Sequence, residues 1–111
     1  MNLLPNGDRA IIDDRKLLAY ALSDRHEEGK HKARLFRDLL GIGPQRYQPL
    51  VDALREAAQS GDAAVGRSDR YGQRYTIDLR MNGPGGEVMV RSAWIIRTGE
   101  ELPRLVTCYI I

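Results

Sequence analysis

The 111 residues of this chain fit one domain, because domains typically hold roughly 100–200 residues, and we expect residues 1–111 to form a single unit. With 42% hydrophobic and 29% charged residues, the composition excludes a disordered tail, a collagenous chain and a coiled-coil rod. No apolar run approaches the roughly 18–20 residues of a membrane span, so we expect no membrane partner. The single cysteine, Cys108, excludes an internal disulfide and a cysteine-based zinc site.

The net charge is only +2, from 17 basic and 15 acidic residues, and this total does not define a partner. Of the 17 basic residues, 14 are arginine, whose planar guanidinium can bind a phosphate with two parallel hydrogen bonds. A GC-rich genome would produce the same bias. The composition therefore permits a phosphate-containing partner without requiring one.

Helical apolar spacing fills the first half of the chain. The predicted helices run, in chain order, from Asp13 or Asp14 to about Leu22, over about Lys30–Leu40, and over Pro49–Gln59. Gly41 is placed to end the second helix, because glycine readily adopts the left-handed conformation that follows a helix. Pro49 suits the first turn of the third helix.

Alternating apolar and polar residues fill the second half of the chain. The predicted strands are Ala63–Arg67, Tyr71–Met81, Glu87–Arg97 and Arg104–Ile111, of which the first has the weakest pattern. Asn82–Gly86 is a dense turn signal and predicts a hairpin between the two long strands. Helices followed by antiparallel strands predict an α+β fold, with about three N-terminal helices packed on a C-terminal antiparallel sheet of three to four strands.

The two histidines lie close together, His26 in a polar break and His31 just inside the second predicted helix. Their spacing of five residues is poor for shared metal ligation, so we expect no metal site. The cations around them are Lys30, Lys32, Arg34 and Arg37. A histidine beside a helix N-terminus and cations favours the neutral imidazole that a general base needs, and the cations can bind phosphate. The alternative reading is a solvated helix face.

Polar residues of the predicted sheet could complete a metal-free ribonuclease site. The candidates are Arg74, Arg91, Ser92, Thr107 and Tyr109, with Tyr71, Tyr75 and Trp94 available to stack on bases. Each has a structural alternative, and for Trp94 the pattern favours a core or half-buried strand position. Phosphate-binding loops, dinucleotide fingerprints and nucleophile elbows are absent from the sequence, and we expect no cofactor.

Several motifs follow one another in a recognisable order. The first is His26-x-x-Gly-x-x-Lys32-Ala-x-x-Phe, preceded by Lys16-Leu-x-x-Tyr; the others are Tyr71-Gly-Gln-Arg-Tyr, Gly83-Pro-x-Gly, Val90-Arg-Ser-Ala-Trp-Ile and Pro103-Arg-Leu-Val-Thr-x-Tyr. Over nearly the whole chain this order resembles the domain-of-unknown-function family 6883, found alone and at the C-terminal ends of large bacterial secreted toxins. Its layout is similar to the barnase–EndoU–colicin–RelE-like ribonuclease fold.

The resemblance implies a metal-independent bacterial endoribonuclease toxin that cleaves tRNA or another cellular RNA by 2′-hydroxyl attack on phosphate. It further implies action in the cytoplasm, delivery as part of a larger toxin or secretion, and a cognate immunity protein or antitoxin as partner. The matching residues would divide into a catalytic set, His26, Lys32 and Thr107, and a substrate-binding set, Arg74, Arg91, Trp94 and Arg104. Glu27 departs from the family, whose members often carry proline there, and a carboxylate beside the base repels phosphate.

A non-catalytic interaction module is the alternative: an immunity protein, an antitoxin, or a toxin domain that has lost its chemistry. Clustering of His26, Lys32, Arg74 or Arg91, and Thr107 in one cleft would favour the enzyme. Scattered side chains would favour the alternative.

Overall fold

A computed structural model describes residues 2–23 and 30–111, without the side chains of Tyr20 and Lys30. A 3₁₀ turn (Gly7–Arg9) is followed by α1 (Asp14–Lys16) with its π-helical continuation (Leu17–Ala21), α2 (Lys30–Leu40), α3 (Gln48–Ser60), β1 (Ala63–Asp69), β2 (Gly72–Gly83), β3 (Gly86–Arg97) and β4 (Arg104–Ile110). The predicted α+β fold is confirmed, with helices first and four strands after them.

Local sequence signals set the helix ends. The Asp13 carboxylate accepts a hydrogen bond from the Arg15 backbone N–H at 3.0 Å and so caps α1. Gly41 ends α2 with a φ of 67°, in the left-handed region that glycine adopts at little cost. Pro49 lies in the first turn of α3, where a missing backbone N–H costs no helical hydrogen bond.

The strands form one antiparallel meander in the order β1-β2-β3-β4. The glycines of the β2–β3 hairpin form the turn and also allow the hairpin backbone to pack closely against α2. The Gly85 backbone N–H donates to the Leu39 carbonyl at 3.0 Å. A Cβ atom on Gly83 would lie only 2.5 Å from that same carbonyl oxygen, so a larger residue there would push the hairpin away from the helix.

The helices pack on one face of the sheet, which we call the inner face. Its buried side chains from β2, β3 and β4 join those of the helices in one core, whose largest fully buried members include Trp94, Phe36, Leu50, Leu54, Ile77 and Val90. The apolar periodicity of α2 and α3 therefore points toward the sheet, as predicted. Within the described ranges, no helix has the length and apolarity needed to cross a bilayer.

The segment after the 3₁₀ turn pairs with the free edge of β4, which the sequence did not predict. The Ile11 backbone N–H donates to the Pro103 carbonyl at 2.8 Å, and the Leu105 N–H donates to the Ile11 carbonyl at 2.9 Å. Ile11 thus lies parallel to the start of β4 and covers part of that edge.

Candidate functional site

The face of the sheet opposite the helices, here the outer face, carries most of the predicted polar residues. Side chains of a strand alternate between faces, so residues that are cross-strand partners share one face. The register places Asp78 of β2, Arg91 of β3 and Tyr109 of β4 in one line across three strands. We call these three residues, together with Lys32, the cationic row.

Arg91 and Asp78 form a two-point ion pair at the centre of this row. The Arg91 Nε and Nη2 atoms donate to the two carboxylate oxygens of Asp78 at 2.8 Å and 2.9 Å. This hydrogen bonding to Arg91 lowers the pKa of Asp78 below its ordinary value of 3.8. The same bonds to Asp78 raise the pKa of Arg91, and the nearby Tyr109 hydroxyl adds to that effect. Both groups are therefore held in their charged forms, with the guanidinium aligned along the row.

Lys32 brings a helix cation to the same place. Its ammonium nitrogen lies 4.6 Å from the centre of the Tyr109 ring, which is within the range of a cation–π contact. The backbone of α2 packs on the inner side of the sheet, beside β4. An exposed, flexible lysine side chain at the start of α2 can therefore reach Tyr109 on this edge strand. Tyr109 thus contacts both Lys32 and Arg91.

A bulge in β4 decides where Thr107 and Arg104 lie. Ala93 pairs with Thr107, but the next residue, Trp94, pairs with Leu105, which leaves Val106 as an extra residue. Strict alternation would put positions 104 and 107 on opposite faces. Because of the extra residue, Thr107 and Arg104 both share the outer face with Arg91. Thr107 lies two residues before Tyr109 on β4.

Two more predicted arginines lie farther along the same face. Arg74 and Arg104 are the cross-strand partners of Ile95 from either side. Arg104 donates to both carboxylate oxygens of Glu100, at 3.1 Å and 3.3 Å, and this lowers the pKa of Glu100.

Arg74 is less completely paired than Arg104. Its Nε lies 3.8 Å from an Asp69 carboxylate oxygen and is buried. Within the described parts of the chain, this atom makes no hydrogen bond. Arg74 therefore keeps donor capacity that its own carboxylate partner does not use.

Trp94 lies on the inner face instead. Its side chain is fully buried, and its indole N–H donates to the Ser92 hydroxyl at 2.9 Å. Ser92, also fully buried, donates in turn to the Ile77 carbonyl at 2.7 Å. The burial of Trp94 leaves no ring face for a base, so its observed role is in the core, with Ser92 as its polar partner.

His26 lies outside the described residues, and its predicted role as a base stays a prediction. Its neighbour His31 is exposed on α2. Among residues 2–23 and 30–111, no group of three or more histidine, cysteine or acidic side chains is arranged to hold a metal ion.

The outer face thus brings together five residues of the predicted site: Lys32, Thr107, Arg74, Arg91 and Arg104. The structure adds Asp78 to this set, and it joins Tyr109, a candidate without an assigned role in the sequence analysis, to Lys32 and Arg91. Sequence alternation places Asp78 and Arg91 on outward faces, but it does not give their register. The contact between Lys32 and Tyr109 joins residues 77 positions apart in the sequence and has no local signal.

The fold and this surface define a small α+β domain, with helices on one face of a four-stranded antiparallel sheet and a cation-rich polar row on the other. The family described as "Domain of unknown function (DUF6883)" matches residues 3–111, and the chain belongs to this family. The resemblance of the sequence motifs is thereby confirmed.

One similar solved structure is a chain of a contact-dependent growth inhibition toxin–immunity protein complex from Klebsiella pneumoniae 342. It superposes with a TM-score of 0.70 at 16% identity, over 91% of this chain and 99% of that chain. At this identity the likeness shows a shared fold. No curated protein matches the chain significantly.

Proposed function

We propose that this chain is a metal-independent bacterial endoribonuclease of a toxin system, which cleaves tRNA or another cellular RNA by attack of a 2′-hydroxyl on the adjacent phosphate. The observation that carries the proposal is the contact of Tyr109 with both Lys32 and Arg91 on the exposed face of the sheet. The family membership and the fold shared with a chain of a toxin–immunity complex support the toxin context.

The chemistry requires positive charge where the phosphate gains negative charge. In the pentacoordinate transition state the non-bridging oxygens become more negative, and fixed cations stabilise them more than they stabilise the bound substrate. The Lys32 ammonium supplies three donors, and the tyrosine ring occupies one side of it. Arg91 is oriented by Asp78, which accepts from its Nε and Nη2, and its remaining N–H groups are divided between the Tyr109 hydroxyl and a phosphate oxygen.

The remaining predicted residues extend this clamp. Thr107 contributes a hydroxyl two residues before Tyr109 on β4. Arg74 and Arg104 would hold flanking phosphates. Arg104 must give up Glu100 to do so, which makes binding sensitive to salt. His26 is the proposed general base, in line with the sequence motif that carries it.

Incubating the purified protein with total RNA in EDTA tests the proposal. We expect cleavage products with 2′,3′-cyclic phosphate and 5′-hydroxyl ends, and no cleavage by His26→Ala. Replacing Lys32 with glutamine should lower the rate by about 100-fold or more, since it removes a charge that acts in the transition state. Arg67→Gln is the matched control, because it removes one exposed cation from β1, away from the row.

Intact RNA at high concentrations of the wild-type protein would overturn the ribonuclease assignment. Equal losses in Lys32→Gln and Arg67→Gln would instead show that only net charge matters. Growth arrest on induction in a bacterial host is the simpler first assay.

A second candidate is a non-catalytic interaction module, such as an immunity protein, an antitoxin or a toxin domain without activity. Two observations favour it: Arg91 and Arg104 each have a carboxylate as partner, and Trp94 is buried. The similar structure belongs to a complex of a toxin and its immunity protein. Normal growth on expression, with a stable complex formed with a toxin encoded beside it, would support this candidate.

A further inference from the structure

Two cations border the Tyr109 side chain on the outer face. Its ring lies under the Lys32 ammonium at 4.6 Å, and its cross-strand partner is Arg91, close to its hydroxyl. The residue is half-buried, so the phenol is partly shielded from water while remaining reachable from the outer face. Positive charge on both sides of a group stabilises negative charge that develops on it in a transition state.

Three other polar groups of the outer face, Asp78, Arg91 and Thr107, are poor proton donors at neutral pH. The ion pair with Arg91 lowers the pKa of Asp78, so this carboxyl is already ionised. The same pair raises the pKa of Arg91, which keeps its proton. Thr107 carries an aliphatic alcohol, a much weaker acid than a phenol.

We infer that Tyr109 is the general acid of the site and donates its phenolic proton to the leaving 5′-oxygen of the RNA. The inference rests on the function proposed above. Lys32 and Arg91 then have two tasks: they neutralise the phosphate oxygens, and they stabilise the phenolate once its proton has left.

The step balances without any further reactant. The 2′-oxygen, deprotonated by the general base, forms a bond to phosphorus, and the bond from phosphorus to the 5′-oxygen breaks with its electron pair on that oxygen. The Tyr109 proton moves to the same oxygen and gives a 5′-hydroxyl product. The other product is the 2′,3′-cyclic phosphate, and the base later returns its proton to the phenolate through water.

The test compares two leaving groups. The first substrate is an RNA oligonucleotide, whose 5′-alkoxide must be protonated as it departs. The second is uridine 3′-(4-nitrophenyl phosphate), whose nitrophenolate leaves without a proton. Tyr109→Phe should slow cleavage of the oligonucleotide by about 100-fold or more, the usual contribution of a general acid, while slowing the nitrophenyl ester by less than about fivefold. Lys32→Gln should slow both substrates, because its charge acts on the phosphate itself.

Tyr47→Phe provides the matched control. It removes the same hydroxyl from a tyrosine that hydrogen-bonds Asp14 beside α3, outside the row, and both rates should stay near those of the wild type. Equal losses on both substrates in Tyr109→Phe would overturn the inference in favour of a positioning or structural role. Unchanged rates on both would also overturn it. A wild-type protein that cleaves neither substrate would overturn the proposed function, and the inference with it.

Discussion

The inner and outer faces of the sheet are built from adjacent residues of the same three strands, β2, β3 and β4. On the inner face, Ile77, Ser92 and Cys108 form a row in which all three side chains are at most 1% exposed. The residue beside each of these is Asp78, Arg91 or Tyr109, and these three pair with one another on the outer face. Because neighbouring residues point to opposite faces, one stretch of chain supplies both a dry core and a charged surface.

Polar groups are buried and hydrogen-bonded on the inner face, and partly exposed to solvent on the outer face. On the inner face the Ser92 hydroxyl has both an acceptor and a donor, and burial raises the pKa of the Cys108 thiol to about 12, so this cysteine is inert. On the outer face the Asp78–Arg91 pair remains about two-fifths exposed. The inner face therefore contributes mainly to stability, and the outer face is available for chemistry. The predictions below test that division.

The largest expected effect is that of Trp94→Ala on stability. Trp94 is the largest fully buried side chain, and its removal leaves a cavity in the middle of β3. We expect a loss of about 3–5 kcal/mol in the free energy of unfolding, measured by urea denaturation, which is a large part of the total for a small domain. The change should act through folding, since no part of the indole reaches the outer face.

Trp94→Phe keeps this prediction measurable if the alanine variant does not fold. It retains an aromatic ring and removes the indole N–H that binds Ser92. The folded phenylalanine variant should keep its RNA-cleaving activity. A folded variant without activity would show that the two faces are not separate in function.

Much of the fold could be predicted from the sequence, because the information is local. The 3–4 spacing of α2, Gly41 at its end and the alternation along β2 and β3 each depend on a few neighbouring residues. Alternation also decides which residues of β2 and β3 share a face. The bounds of α3 differ from the prediction by one residue at each end.

The geometry of the site depends on contacts that no local pattern encodes. Strict alternation from Arg104 would place Thr107 on the wrong face, and only the pairing with β3 reveals the extra residue, Val106. The pattern favours a core role for Trp94, but only the packing of the helices shows that no face of its ring is left for a base. Lys32 meets Tyr109 because α2 lies beside β4, which is a tertiary contact.

An intermediate effect is expected for Ser92→Ala. The substitution removes the acceptor of the Trp94 indole N–H, which then stays buried without a partner. Such a group costs about 1–3 kcal/mol, and the loss should appear in the midpoint of urea unfolding with an unchanged slope. Ser68→Ala makes the same change at an exposed position of β1 and should lie within about 0.5 kcal/mol of the wild type. Similar losses in the two variants would contradict the assigned role of Ser92.

The smallest effect concerns the acid stability that Asp78 provides. Its pKa is lower in the folded chain than its ordinary value of 3.8, so its contribution is present above that pH and is lost as the pH falls through the folded value. Asp78→Asn should therefore lower the unfolding midpoint at neutral pH and approach the wild type in acid. The difference should be small, because solvent screens a pair this exposed, and it should shrink further in high salt. In an Arg91→Gln background the same substitution should have almost no effect, since the partner that lowers the pKa is gone; a full effect there would assign the acid dependence to another contact of Asp78.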